Sequence, residues 1–173
     1  MFFMDKILSG YFFNPTKGNL KIEKALEEIV RYISEKPEKF YDVIVGCDSS
    51  SSMEPHFPLA VVVLRMGEGG RFFLKKIAYK DRIFYNWKQR ILEEVYLSCQ
   101  FALYIRENFE KTIEKMGKSN LNYQFRYIHA DVGDNGKTKD MIKEVTGLIR
   151  GNGFEPRIKP ESFAASSVAD RYS

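Results

Sequence analysis

The chain has 173 residues, 44% of them hydrophobic and 29% charged, which indicates one globular domain and excludes a disordered or fibrous protein. Its 27 basic and 23 acidic residues give a net charge of +4, which favours anionic partners only weakly. The two cysteines and two histidines are not at the short spacings that the common structural zinc sites need.

Neither a targeting signal nor a membrane-spanning segment is recognisable. The N-terminus lacks the basic and long apolar regions of a signal peptide. The longest apolar run, residues 58–64, is far below the roughly 18 residues that a membrane span requires. Cys47 and Cys99 have apolar neighbours, which favours reduced core thiols. We therefore expect a cytoplasmic protein with no membrane partner, while the oligomeric state stays open.

The first predicted elements are an arm, a helix and a strand. Residues 1–19 contain Gly10, Pro15 and Gly18 and are predicted to form an irregular N-terminal arm, with residues 20–173 as a single domain. Apolar residues at helical spacing predict an amphipathic helix over 20–34, which ends shortly before Pro37. A β-branched run then predicts the first strand over 41–47.

Two more strands follow, and then helices and strands alternate. The glycines at 67, 69 and 70 separate strands predicted over 58–66 and 71–79, which should form an antiparallel hairpin. The remaining elements are a helix over 83–109, a strand over 123–130, a helix over 137–150, a strand over 155–159 and a closing helix over 162–171. This order predicts a mixed sheet with helices on its faces.

Two aspartates end predicted strands and would lie side by side if those strands are neighbours. Asp48 follows the first predicted strand and Asp131 follows the fourth. Strands joined through a helix run parallel, and their carboxyl ends form the edge at which open α/β sheets bind ligands. Adjacent carboxylates repel each other unless a cation lies between them, and oxygen ligands suit Mg²⁺ or Mn²⁺. The alternative is that an aspartate such as Asp48, which precedes Ser49, only caps a turn.

Two further signals lie around Asp131. The sequence GDNGKT at 133–138 imitates a phosphate-binding loop, but the full pattern would need glycine where Asp131 stands. Its backbone N–H groups can still meet a phosphate, with Lys137 and Lys139 beside them, although lysines on a helix more often form a solvated face. His129 is interpreted as a hydrogen-bonded core histidine in preference to a proton shuttle.

Four stretches of this sequence resemble the YkuK-like proteins of the ribonuclease H-like superfamily. They are VGCDS at 45–49, IHADVG at 128–133, GKTK at 136–139 and, most specific, IKPESFAASSVADR at 158–171. The similarity extends from about residue 20 to the end. Cys47 stands where the family more usually has threonine, and Ser50 where glutamine is common, so a substrate contact from the first strand stays open.

The resemblance implies a ribonuclease H-like fold. Its mixed sheet would have five strands in the order 3-2-1-4-5, with the second strand antiparallel, helices on both faces and an additional N-terminal helix. Nucleases of the superfamily carry acids at the ends of the first and fourth strands, in the first crossover helix and in the last helix. The matching residues here are Asp48, Asp131, Glu94 and Asp170, with Glu93 as the alternative to Glu94. Solvated or capping roles for Glu94 and Asp170 stay open.

The implied function is that of a nuclease or related phosphoryl-transfer enzyme acting on RNA, DNA or a hybrid. The four acids would be catalytic and would hold two Mg²⁺ or Mn²⁺ ions, which activate a water and stabilise the leaving oxygen. The expected substrate-binding residues are Ser49, Lys137, Lys139 and Lys159. The alternative is a non-catalytic module that keeps the fold and binds nucleic acid or protein at the same edge.

Overall fold

A mixed sheet of seven strands organises the computed structural model, which describes residues 2–172. Its strands are β1 (Phe12–Asn14), β2 (Gly18–Leu20), β3 (Tyr41–Cys47), β4 (His56–Arg65), β5 (Gly69–Ala78), β6 (Tyr123–His129) and β7 (Glu155–Arg157). They lie in the order β2-β1-β5-β4-β3-β6-β7. The β3–β6 and β6–β7 pairs are parallel, and the other pairs are antiparallel. Met1 of the predicted arm and Ser173 of the predicted domain lie outside the described residues.

Four α-helices accompany the sheet. They are α1 (Phe2–Leu8), α2 (Ile22–Glu35), α3 (Trp87–Lys115) and α4 (Ile142–Gly151). A 3₁₀ turn over Lys137–Met141 leads into α4. The C-terminal segment is π-helical over Ala164–Ala169 and 3₁₀-helical over Asp170–Tyr172. In the part of the chain described, no helix combines the length and apolar character needed to cross a membrane.

Strand β3 is buried on both faces. Val43 and Val45 belong to the main core, to which α3 contributes, whereas Ile44 packs with Ala164 of the C-terminal segment. A strand covered on both faces reads as a continuous apolar run, which explains the sequence over 41–47. The predicted helices on both faces are thus present, and the free cysteines Cys47 and Cys99 are buried as expected.

The predicted sheet is wrong in strand count and in overall order. The five predicted strands are β3 to β7, and they lie consecutively as β5-β4-β3-β6-β7 inside the larger sheet. Strands β1 and β2 extend it beyond β5, with Phe13 paired to Leu74. They come from the segment predicted to be irregular. Strands of three residues are too short to show alternation, and their turn depends on Asn14, whose Oδ1 accepts hydrogen bonds from the N–H groups of Thr16 and Lys17 at 2.9 and 2.8 Å.

The helix bounds differ from the predictions in places that local hydrogen bonds explain. α3 begins at Trp87 rather than near residue 83 because the Asn86 side chain accepts a hydrogen bond from Gln89 N–H at 3.0 Å and caps the helix there. The predicted closing helix over 162–171 is not α-helical. In it, Ser166 Oγ donates to the Ser162 carbonyl at 2.8 Å, a local bond that competes with regular helix geometry.

Candidate functional site

Asp48 lies at the C-terminal end of β3, next to the parallel strand β6 that precedes Asp131, as predicted. Asp48 is only 7% exposed, and its backbone N–H donates a hydrogen bond to the Pro58 carbonyl at 3.2 Å. The Asp48 carboxyl is hydrogen-bonded to that of Asp170. Burial, this hydrogen bond and the negative charge of Asp131 together raise the pKa of Asp48 to about 7. A raised pKa is the expected result of packing a buried carboxyl against other acids.

Glu94 extends from α3 into the same group of acids. The residue is buried, and Ser49 Oγ donates a hydrogen bond to Glu94 Oε1. Burial raises the pKa of Glu94 well above its usual value, and the charges of Asp48 and Asp131 add to this effect. Ser49 and the nearby Arg90 oppose it. Glu94 is therefore part of the acidic group rather than a solvated helix charge.

The alternative acid, Glu93, has a different role in the fold. Its side chain is also buried, but it accepts hydrogen bonds from the Tyr79 hydroxyl and from Arg82 Nη1, the latter at 2.8 Å. This ion pair joins α3 to the loop after β5. Successive helix residues point about 100° apart, so only one of the two glutamates can face the aspartates, and that one is Glu94.

Asp131 follows β6 and lies beside Lys159. The Lys159 Nζ is 3.1 Å from Asp131 Oδ1 and forms an ion pair with it. The two groups are not aligned as a hydrogen bond, so within residues 2–172 this buried oxygen has no hydrogen-bond donor. Lys159 is held there by its N–H bond to the Val132 carbonyl at 2.8 Å, and its Cβ would be 2.9 Å from a Cβ at Gly133. A buried carboxylate oxygen without a donor is costly unless a cation neutralises it.

The C-terminal segment brings Asp170 to the site through close backbone contact with β3. A Cβ at Gly46 would lie 2.7 Å from backbone atoms of Ala164 and Ala165, so glycine permits this approach. His129 Nδ1 accepts a hydrogen bond from Ala164 N–H at 3.1 Å, and burial lowers the pKa of His129 to about 4. The interpretation of His129 as a hydrogen-bonded core histidine is confirmed.

A cleft of about 180 Å³ opens beside Asp48, Glu94 and Asp131; we call it the carboxylate cleft, and Asp170 is not among its lining residues. Its lining residues are Asp48, Ser49, Ser51, Trp87, Arg90, Ile91, Glu94, Asp131, Lys137, Thr138 and Lys159. Of the predicted substrate-binding residues, Ser49, Lys137 and Lys159 line it. Lys139 is exposed on the same 3₁₀ turn as Lys137 but is not part of the lining.

Sequence reasoning missed Trp87 and Arg90. Both precede Glu94 on α3, by seven and four residues, and therefore lie on the same helix face. That spacing was a usable signal. It becomes informative only once Glu94 rather than Glu93 is known to face the aspartates.

The ribonuclease H-like family model matches residues 24–173 of the chain. The chain belongs to this ribonuclease H-like family. It is also similar to the uncharacterized protein YkuK of Bacillus subtilis (strain 168), with 28% identity over 172 residues, covering 95% of this chain and 98% of that protein. No solved structure matches the chain significantly. The resemblance to YkuK-like members of the ribonuclease H-like superfamily is thus confirmed, and membership indicates a function connected with nucleic acid.

The acids of this ribonuclease H-like chain fit a divalent metal by their chemistry. Among residues 2–172, no group of three or more His, Cys, Asp or Glu side chains has the arrangement that would hold a metal ion. Glu94 is instead engaged by Ser49, and Asp131 by Lys159. The donor set is nevertheless entirely carboxylate oxygen, which suits Mg²⁺ or Mn²⁺.

Proposed function

We propose that the chain is a divalent-metal-dependent nuclease, or a related phosphoryl-transfer enzyme acting on nucleic acid, with Asp48, Glu94, Asp131 and Asp170 as catalytic residues. The convergence of these acids carries the proposal. Asp48 is in contact with Asp170, and the charges of Asp48 and Asp131 act on the buried Glu94. Gathering like charges costs free energy, which binding of cations would recover.

The same four acids are the proposed ligands of two Mg²⁺ or Mn²⁺ ions. When bound, such ions lower the pKa of a water molecule and neutralise negative charge on the reacting phosphate. The ion pair between Asp131 Oδ1 and Lys159 Nζ supports the assignment, because this oxygen already lies against a positive charge.

Other side chains of the cleft would position the substrate. Three positive charges lie near the acids, on Lys159, Lys137 and Arg90. Phosphate groups bind where such charges are close together. Ser49 holds Glu94 by its hydroxyl and so fixes the direction of that carboxylate. Lys139, exposed outside the cleft, is proposed to contact a more distant phosphate of the same strand.

The experiment is a cleavage assay on single-stranded and duplex RNA, single-stranded and duplex DNA and a hybrid, with Mn²⁺ or with EDTA. We expect Mn²⁺-dependent cleavage by the wild type and a loss of about 100-fold or more for Asp48→Asn, equivalent to about 3 kcal/mol of transition-state stabilisation. Asp134→Asn removes an exposed acid from the nearby loop and is the matched control.

Cleavage that survives Asp48→Asn or does not depend on metal would refute the proposal. Salt-sensitive binding of nucleic acid with no cleavage of any substrate would refute it too, and would instead support the non-catalytic module.

A further inference from the structure

Trp87 forms part of the wall of the carboxylate cleft. It is the first residue of α3, where the Asn86 cap fixes the start of the helix, and it is half-buried against the core. It is also the only tryptophan in the sequence. A rigid aromatic surface therefore lies beside the acids and is partly accessible from the cleft.

Two cations of the cleft, Lys137 and Arg90, lie near Trp87. Lys137 Nζ is 5.3 Å from the ring centroid, and Arg90 lines the cleft one helical turn further along α3. Lys88 Nζ, outside the cleft lining, is 5.6 Å from the same centroid. Within residues 2–172, neither of the two cleft cations forms an ion pair with a carboxylate, whereas Lys159 in the same cleft is paired with Asp131. An aromatic face combined with free positive charge matches the two parts of a nucleotide, its base and its phosphate.

The size of the cleft limits what can enter. At about 180 Å³ it is smaller than the roughly 300–1000 Å³ of pockets that enclose drug-sized ligands, so it has room for no more than part of one nucleotide. Both faces of a base inside a duplex are covered by its stacked neighbours. Only a base that is unpaired, in a single strand or at a frayed end, can stack on an aromatic side chain.

We propose that the carboxylate cleft recognises an unpaired nucleotide, whose base stacks on Trp87 and whose phosphate is bound by Arg90 and Lys137. The inference rests on the proposed function in that it uses the same cleft, and it adds that the substrate is single-stranded or has an unpaired end. The preference for single-stranded over duplex nucleic acid thus comes from stacking on Trp87, and the affinity comes from Arg90 and Lys137.

The single tryptophan is a built-in reporter for this contact. The test uses the full chain carrying Asp48→Asn, in EDTA, so that binding is measured without cleavage. Single-stranded RNA and DNA octamers should quench Trp87 fluorescence in a saturable, salt-sensitive way, and a blunt duplex of the same sequence should not. Equal quenching by the duplex, or no quenching by the single-stranded RNA and DNA octamers, would overturn the inference.

Substitutions provide the second arm, measured with labelled octamers by fluorescence anisotropy. Trp87→Ala should weaken single-strand binding about 10- to 100-fold, and Trp87→Phe, which keeps an aromatic face, only a few-fold. Tyr85→Ala is the matched control, because Tyr85 is a 72% exposed aromatic outside the cleft lining and should bind as the parent does. If Trp87→Ala does not fold, Lys137→Gln should still lower affinity and reduce the salt slope by about one.

The outcomes separate this inference from the proposed function. Metal-dependent cleavage that Asp48→Asn abolishes, together with unchanged binding by Trp87→Ala, would overturn the nucleotide contact and leave the nuclease in place. Strand-selective quenching without cleavage of any substrate would support the contact and refute the nuclease. Equal loss of affinity in Trp87→Ala and Trp87→Phe would overturn stacking as the source of selectivity.

Discussion

Replacing Asp48 with asparagine should make the protein more stable at alkaline pH. The folded structure raises the pKa of Asp48 from 3.8 to about 7, so the folded state favours the protonated acid. The resulting stabilisation is complete below pH 3.8 and is lost as the pH rises through about 7. A shift of about three pKa units corresponds to about 4 kcal/mol, and little of it is screened because Asp48 is buried.

Asparagine at this position removes the charge and keeps a donor for the Asp170 carboxylate. We therefore expect Asp48→Asn to exceed the wild type by up to about 4 kcal/mol in free energy of unfolding at pH 8, and to match it near pH 4. The measurement is urea denaturation followed by circular dichroism at several pH values in EDTA. The exposed control Asp134→Asn should follow the wild type throughout.

The comparison can refute the view that the acids are packed against one another. A variant less stable than the wild type at pH 8, or a difference that does not change with pH, would show that the charge on Asp48 costs nothing in the fold. Added Mn²⁺ at pH 8 should stabilise the wild type and have much less effect on Asp48→Asn, because the cation replaces the missing proton.

Three further predictions concern the elements that hold the acids in place. Gly46→Ala should lower the free energy of unfolding by about 1–3 kcal/mol and remove the response to Mn²⁺, since its Cβ would be 2.7 Å from the backbone of the C-terminal segment. The control is Gly147→Ala, in an open part of α4, which should raise the free energy of unfolding by about 0.5–1 kcal/mol in the same urea assay. Protonation of His129 should cost the wild type about 3 kcal/mol as the pH falls from 6.5 to about 4, because the unfolded chain binds this proton first. Protonation of Asp48 opposes the loss over the same range, so the loss is measured as the difference in free energy of unfolding between the wild type and His129→Asn. Glu93→Gln should cost about 1–3 kcal/mol by weakening a buried ion pair and should keep the thermal shift with Mn²⁺, whereas Glu94→Gln should abolish that shift.

Each of these predictions has an outcome that would contradict the structure. A Gly46→Ala protein as stable as the wild type would show that the C-terminal segment does not approach β3 closely. An unchanged acid slope in His129→Asn would assign the loss to another group. Equal effects of the two glutamate substitutions on the Mn²⁺ response would mean that the phase assigned to α3 is wrong.

The centre of the fold was predictable because its signals are strong and local. The apolar run over 41–47 identifies a strand buried on both faces. The alternation of helices and strands later in the chain predicts parallel strands beside it. The pattern therefore predicts Asp48 and Asp131 at one edge of the sheet, and the strand order that the family resemblance implies makes them neighbours. Strands β1 and β2 gave no such pattern, since their pairing depends on a turn made by the Asn14 side chain.

The candidate site was predictable only in part. Its two strand-end acids follow from topology, and Glu94 and Asp170 from the family resemblance. The choice between Glu93 and Glu94 needed the partners of both side chains, because Tyr79 and Arg82 reach Glu93 from another element. Long-range contacts of this kind leave no periodic trace in a sequence. The helical spacing between Trp87 and Glu94 is informative only after that choice is made.

The outermost strands of the sheet have a consequence for self-association. Both β2 and β7 contain only three residues, and β7 includes Pro156, which cannot donate a backbone hydrogen bond. The ten-residue β5 would otherwise offer another chain a long row of unpaired backbone groups, but β1 lies against it and Asn14 Nδ2 donates to the Phe72 carbonyl at 2.9 Å. Short outer strands are a common defence against edge-to-edge aggregation. Deleting the first 20 residues would remove that cover and should make the protein aggregate through β5.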